Sequence, residues 1–236
     1  MTGLRPYRPI APGAHPPNDF EGYGSTRLRH PKQAPVAIPQ TLSEITGPVS
    51  GFERFGPPEI DLTMQGKSPA QGERIIVEGL VLDEDERPIP NTLVELWQAN
   101  AAGRYRHDGD QHDAPLDPNF TGAGRAITDA EGRYRFVTIK PGAYPWRNHN
   151  NAWRPAHLHF SIFGPSFLTR LITQMYFPGD PLLAHDPIFN STSDPKARER
   201  MVSAFDFNLT KPEWALGYRF DMIVRGRNAT PMEAQG

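Results

Sequence analysis

Twenty-six prolines are spread through the 236 residues, and their placement limits the fold more than any other feature. Proline lacks a backbone donor and its ring blocks the preceding helical turn, so it breaks helices and is kept out of sheet interiors. Over the first 70 or so residues, stretches such as "RPYRPIAPGAHPPNDF" and "RHPKQAPVAIPQ" leave no room for either. These residues are expected to form an extended arm, ordered by lying along another surface. Ile10, Val36, Ile38, Leu42 and Ile45 support that docking, because a fully solvated tail would not need them. "TLSEITG" offers one short helix, with Thr41 and Glu44 spaced as a capping box.

From Gly72 onward the prolines thin out, and the residues between turn signals alternate with period two. "ERIIVEGLVLD" and "NTLVELWQA" read as strands, the second with Leu93, Glu95 and Trp97 on one face. "TDAEGRYRFVTI" is expected to be a hairpin turning at Glu131-Gly132, and "AHLHFSIFG", "TRLITQMYF" and "YRFDMIVRG" supply further strands. Asp194 and Pro195 have the spacing of a helix start, and that helix is expected to bury Met201, Val202 and Phe205. "NATPMEAQG" reads as a loose tail. The expected fold is all-β: an antiparallel β-sandwich core over residues 72–236, an extended proline-rich N-terminal arm over 1–71, and few short helices.

Cysteine is absent, which excludes disulfides, a thiolate nucleophile and sulfur ligands, so any metal must take nitrogen and oxygen donors. A net charge of −2 gives no electrostatic footprint for nucleic acid or an anionic membrane. No segment has the length and apolarity of a membrane span, and the N-terminus lacks the apolar stretch of a signal peptide. A cytoplasmic protein is expected.

Within "RPAHLHF", His157 and His159 project to the same side of a strand while Leu158, Phe160 and Ile162 project to the other. Two imidazoles on one face can share an ion or can be two hydrogen-bonded structural groups. A third ligand is not evident nearby, because residues 132–179 contain no Asp or Glu. Tyr105 and Tyr144 sit just beyond strand ends, where loops carry sites on rigid scaffolds. Pro145 fixes the backbone direction of Tyr144. A phenol titrates near 10 and becomes a ligand only to a strongly acidic metal such as ferric iron. Otherwise both tyrosines are core residues.

"VELWQANAAGRY", "TDAEGRYRFVTIKPGAYPWR" and "RPAHLHFSI", in this order and spacing, resemble the intradiol ring-cleavage dioxygenases, and most closely the iron-bearing β-chain branch that acts on protocatechuate. The resemblance extends from "YGSTRLRHPKQAPVAIPQTLSEITGP" through "GERIIVEG" to "YRFDMIVRG", nearly the whole chain. It implies a non-haem Fe³⁺ held by Tyr105, Tyr144, His157 and His159, none of them substituted. It further implies that Tyr105 and His157 are equatorial, that Tyr144 and His159 are axial, and that Tyr144 leaves when substrate binds.

The resemblance also implies that protocatechuate is opened by O₂ between its two hydroxylated carbons to 3-carboxy-cis,cis-muconate, and that an iron-free α chain is the partner in an αβ hetero-oligomer. Arg154 and Gln174 match catalytic positions, with Arg154 stabilising negative charge on the substrate, and Trp146 walls Tyr144. Tyr23, Arg29 and Arg147 are candidates to hold the substrate carboxylate. Catechol and hydroxyquinol are the alternative substrates. A zinc hydrolase at the same histidines would need a nearby carboxylate, and a non-catalytic sandwich subunit would not need all four ligand positions.

Overall fold

The computed structural model describes residues 10–34, 36, 56–146, 152–163 and 170–233. The "TLSEITG" helix and Arg147 lie outside them. The described residues form eleven strands: β1 (Arg74–Leu82), β2 (Leu93–Trp97), β3 (Ala123–Ile127), β4 (Arg133–Ile139), β5 (Tyr144–Trp146), β6 (Ala152–Arg154), β7 (His157–Phe163), β8 (Arg170–Tyr176), β9 (Ala204–Phe205), β10 (Leu216–Arg219) and β11 (Met222–Ile223).

Two sheets face each other across one core. One is ordered β3-β2-β7-β8 and is antiparallel throughout. In the other, β1 pairs antiparallel with β4 and parallel with β10 and then β11, while β9 pairs with β10. The architecture is the expected sandwich, with these parallel pairs as its departure from a wholly antiparallel one. Alternation places Ile75, Val77 and Val81 of β1 and Tyr134 and Phe136 of β4 against Val94, Leu96, Leu158, Phe160 and Ile162. Phe160 is the hub, with ring centroids 5.6 Å from Tyr134, 6.3 Å from Phe136 and 5.6 Å from Phe220.

The turn after Asp129 forms as expected, with Gly132 N–H donating to the Asp129 carbonyl, but its flanking strands are not a hairpin. β3 pairs with β2 while β4 crosses to β1 in the other sheet. Alternation marks which face of each strand is apolar and carries no information about its neighbour, so a turn within a hairpin and a turn between sheets read alike.

The helix Pro195–Glu199 begins as expected, with the Asp194 side chain accepting from Lys196 N–H. It is too short to reach the residues assigned to it. Ala197 is its buried residue, Met201 is buried just beyond it, and Phe205 is half exposed on β9. The tail is not loose as far as residue 233: Ala229 and Thr230 are buried, and Glu233 N–H donates to the Ile172 carbonyl at 2.7 Å. The described residues 10–34, expected as extended chain, form turns and one short helix, Thr26–Arg29, with Ala14 fully buried.

Candidate metal centre and active site

β7 is buried on both faces. Its apolar side faces the sandwich core, and its other side lies beneath the loop after β2, the β5–β6 ribbon and the C-terminal segment. Register carries the site across the sheet, because His159 lies opposite Trp97 on β2 and Gln174 on β8, and His157 lies opposite Tyr176. Trp97 stacks on His159, centroids 4.9 Å apart and 7° from parallel.

The loop after β2 brings in Tyr105. Asn100 organises it, its side-chain oxygen accepting from Ala102 and Arg104 N–H and its carbonyl from Gly103 and Gly142 N–H. Gly103 has φ +76°, and a Cβ there would lie 2.2 Å from the Ala143 carbonyl oxygen, so only glycine lets the Tyr105 loop approach the Tyr144 segment this closely. Asp110 then accepts from Tyr105 N–H at 2.7 Å. Tyr144 sits on the two-stranded ribbon, paired with Arg154, and not on a free loop; the ribbon ties a ligand candidate and the buried arginine into one unit.

These elements bring Tyr105, Tyr144, His157 and His159 to one point. Tyr105 Oη lies 3.0 Å from His159 Nε2, Tyr144 Oη 3.4 Å from His157 Nε2, and the two Nε2 atoms 3.2 Å from each other. His157 Nδ1–H donates to the Pro155 carbonyl at 2.7 Å, and His159 Nδ1–H donates to the Glu233 carboxylate at 3.0 Å. With Nδ1 as the protonated nitrogen of a ligating imidazole, Nε2 is the atom each ring turns inward with its lone pair. Two lone pairs facing each other at 3.2 Å repel unless a cation lies between them. Donors each about 2.1 Å from one ion and at right angles to each other stand roughly 3 Å apart, which matches all three separations.

Behind this point lies Arg154, 2% exposed. Its Nε–H donates to Asp186 at 2.9 Å, and its second nitrogen donates to Gln174 at 2.5 Å, Tyr176 at 3.2 Å and Asp186 at 3.3 Å. Its guanidinium lies 5.6 Å from the Trp146 ring. Trp146 in turn meets Tyr23 of the arm edge-on at 4.7 Å, and Arg29, which is exposed, lies over the Tyr23 ring at 4.5 Å. A cavity of about 930 Å³ opens against Tyr105, Tyr144, His159 and Trp146, enough for a substituted aromatic ring.

Residues 45–226 match the family described as Dioxygenase, and residues 7–41 match the one described as Protocatechuate 3,4-dioxygenase beta subunit N terminal. The chain is 58% identical over 222 residues to the protocatechuate 3,4-dioxygenase beta chain of Burkholderia cepacia, covering 93% of this chain and 94% of that one. It is 28% identical to the alpha chain of protocatechuate 3,4-dioxygenase from Pseudomonas putida, covering 82% of this chain and 95% of that one. The structure of catechol 1,2-dioxygenase from Pseudomonas arvilla C-1 superposes with a TM-score of 0.52 at 26% identity, over 70% of this chain and 56% of that one. The chain belongs to the intradiol ring-cleavage dioxygenases.

Intradiol dioxygenases use non-haem iron, and the donor set here suits it. Among the described residues no three His, Cys, Asp or Glu side chains gather as a metal site; the other donors that converge here are two phenols, a type that suits a hard, acidic ion. Without a metal, burial and the neighbouring Tyr144 push the Tyr105 hydroxyl well above the ordinary range, and burial pushes Tyr144 up as well. Burial, with Arg154 and His159 beside it, holds His157 well below 6.5, so it is neutral and ready to donate. Burial opposes the charge on Arg154, but Tyr176 and Asp186 outweigh it and the guanidinium stays protonated.

Three residues that contact the candidate site are not among those read from sequence. Tyr176 was legible, because it lies two residues after Gln174 and so shares its face. Asp186, fully buried, sits beyond a turn and carried only the signature of a helix cap before Pro187. Glu233 arrives from the tail and carried no signal.

Proposed function

We propose that this chain is the iron-bearing subunit of a protocatechuate 3,4-dioxygenase. It joins protocatechuate and O₂ into 3-carboxy-cis,cis-muconate by breaking the bond between the two hydroxylated carbons, in the degradation of aromatic compounds, and works with a related α chain. The observation that carries the reading is the convergence of two phenols and two imidazole lone pairs beside a buried arginine, in a chain 58% identical to a protocatechuate 3,4-dioxygenase beta chain.

Tyr105, Tyr144, His157 and His159 would hold Fe³⁺, which when bound supplies Lewis acidity and an electron-accepting centre. The Tyr144 phenolate oxygen takes a proton from a catechol hydroxyl. Arg154, unable to lose its charge, stabilises the negative charge that develops on the ring, and Gln174 holds the arginine in position through its side-chain oxygen. Trp146 closes one side of the site, and Tyr23 makes the arm part of that wall. Arg29 and Arg147 are offered as partners for the substrate carboxylate. The arm, residues 1–71, is thus proposed as a working part of the catalytic unit formed with residues 72–236.

The test is the visible spectrum of the iron-loaded protein, before and after anaerobic protocatechuate. A red-brown tyrosinate-to-iron band that shifts with protocatechuate supports the reading. A band that answers only to catechol or hydroxyquinol overturns the substrate, and a colourless protein after iron loading overturns the ligand set. Tyr144→Phe should slow the protocatechuate-induced shift while keeping iron; unchanged binding kinetics would remove its proposed role.

A further inference from the structure

From the carboxylate of Glu233 on the C-terminal segment, reaching the far nitrogen of His159, we infer that Glu233 is a positioning residue for the metal centre: it fixes the tautomer and ring orientation of His159 and strengthens its Nε2 as a donor. This inference rests on the proposed ligand set.

Three observations carry it. The Glu233 carboxylate accepts from His159 Nδ1–H at 3.0 Å, opposite the nitrogen that faces Tyr105 and His157. A metal-binding imidazole whose other N–H meets a carboxylate is more basic and is locked in one orientation. Among the four converging side chains the two histidines differ in this respect, because His157 is held by a neutral carbonyl, that of Pro155.

The segment carrying Glu233 is itself anchored. Glu233 N–H donates to the Ile172 carbonyl of β8, Met232 N–H donates to His15 Nδ1 of the arm at 3.2 Å, and Thr230 N–H donates to the Ile223 carbonyl. The neighbouring Met232 packs against the core cluster. A carboxylate carried on backbone anchored at Thr230, Met232 and Glu233 itself has little freedom to follow a rotating imidazole, so it holds the ring where it is. The side chain is shielded, 17% exposed, which limits competition from water.

The test uses Glu233→Gln and Glu233→Asp in the full chain, with the partner chain if the wild type requires it. Glutamine keeps the shape and one acceptor but loses the charge; aspartate keeps the charge and withdraws the oxygen. Three readouts are compared with wild type: iron loss to a chelator, the position of the tyrosinate-to-iron band, and thermal unfolding of the iron-free protein. Expected are iron loss roughly tenfold faster in Glu233→Gln with a displaced band, a smaller change in Glu233→Asp, and iron-free unfolding unchanged in both. Wild-type iron retention and band position in Glu233→Gln would overturn the inference while leaving the ligand set standing. Faster loss accompanied by an equal drop in iron-free stability would also overturn it, because a structural tether would then explain the effect. A wild type that binds no iron would fail the ligand set itself.

Discussion

Arg154 shows how much a single residue depends on chemistry delivered from elsewhere. A buried guanidinium costs several kcal/mol in lost hydration unless its donors are met, and Asp186 meets two of them. The same carboxylate caps the helix Pro187–Ser191, accepting from Ile188 and Phe189 N–H. Asp186→Ala should therefore cost about 3–5 kcal/mol from the orphaned charge and about 1 kcal/mol more from the lost cap, measured by urea unfolding of the iron-free protein. Asp186→Asn separates the two, since it keeps a cap acceptor and loses the charge. If Asp186→Ala costs under 1 kcal/mol, the pair is not sustaining the arginine. The same loss of anchoring should lower kcat in the loaded enzyme.

At the scale of elements, the junction where β1 passes from β10 to β11 leaves no room beside Gly79. Between β10 and β11 the ladder breaks at Phe220 and Asp221: Phe220 N–H still donates to the Glu78 carbonyl, but Leu80 N–H is taken by the Asp221 side chain at 2.8 Å. The Phe220 carbonyl turns inward instead and accepts from the Tyr134 hydroxyl at 2.6 Å. Burial keeps that hydroxyl protonated, with Asp221 adding to the effect. A Cβ on Gly79 would lie 1.8 Å from the same carbonyl oxygen, and backbone on both sides cannot yield cheaply. Gly79→Ala should destabilise the iron-free protein by about 1–3 kcal/mol or more, seen as a lowered melting temperature. An unchanged melting temperature would show that the junction can open without loss.

Across the whole molecule, the first and last described segments meet beside the site. Gly13 accepts from Asp194 N–H, His15 Nδ1 accepts from Met232 N–H, and Tyr23 packs on Trp146. His15 can accept only while neutral, and burial, reinforced by the charge of Arg200, lowers its pKa from 6.5. The sign follows directly: between its folded pKa and 6.5 the unfolded chain binds more protons, so this contribution is complete above 6.5 and is lost as pH falls through that window. Unfolding of the iron-free protein should therefore become easier on acidification below about 6.5, with a shallower slope in His15→Gln. Identical slopes in the two proteins would mean that the arm-to-tail contact does not respond to this titration.

Much of this was written locally. Period-two alternation marked β1, β2, β7 and β8, and a two-residue histidine spacing placed both imidazoles on one face, because side-chain direction in a strand follows from backbone geometry alone. The two tyrosines were legible as candidates through their place after strand ends, and as proposed iron ligands only through the family resemblance. What the tertiary structure decided was partnership. Nothing near Asp129 says that β3 and β4 part into different sheets, nothing near β1 says that it takes a parallel neighbour some 140 residues away, and nothing in "NATPMEAQG" says that Glu233 ends against His159. Strand pairing and buried charge compensation are settled by which surfaces exclude water together, and that depends on residues far apart in the chain.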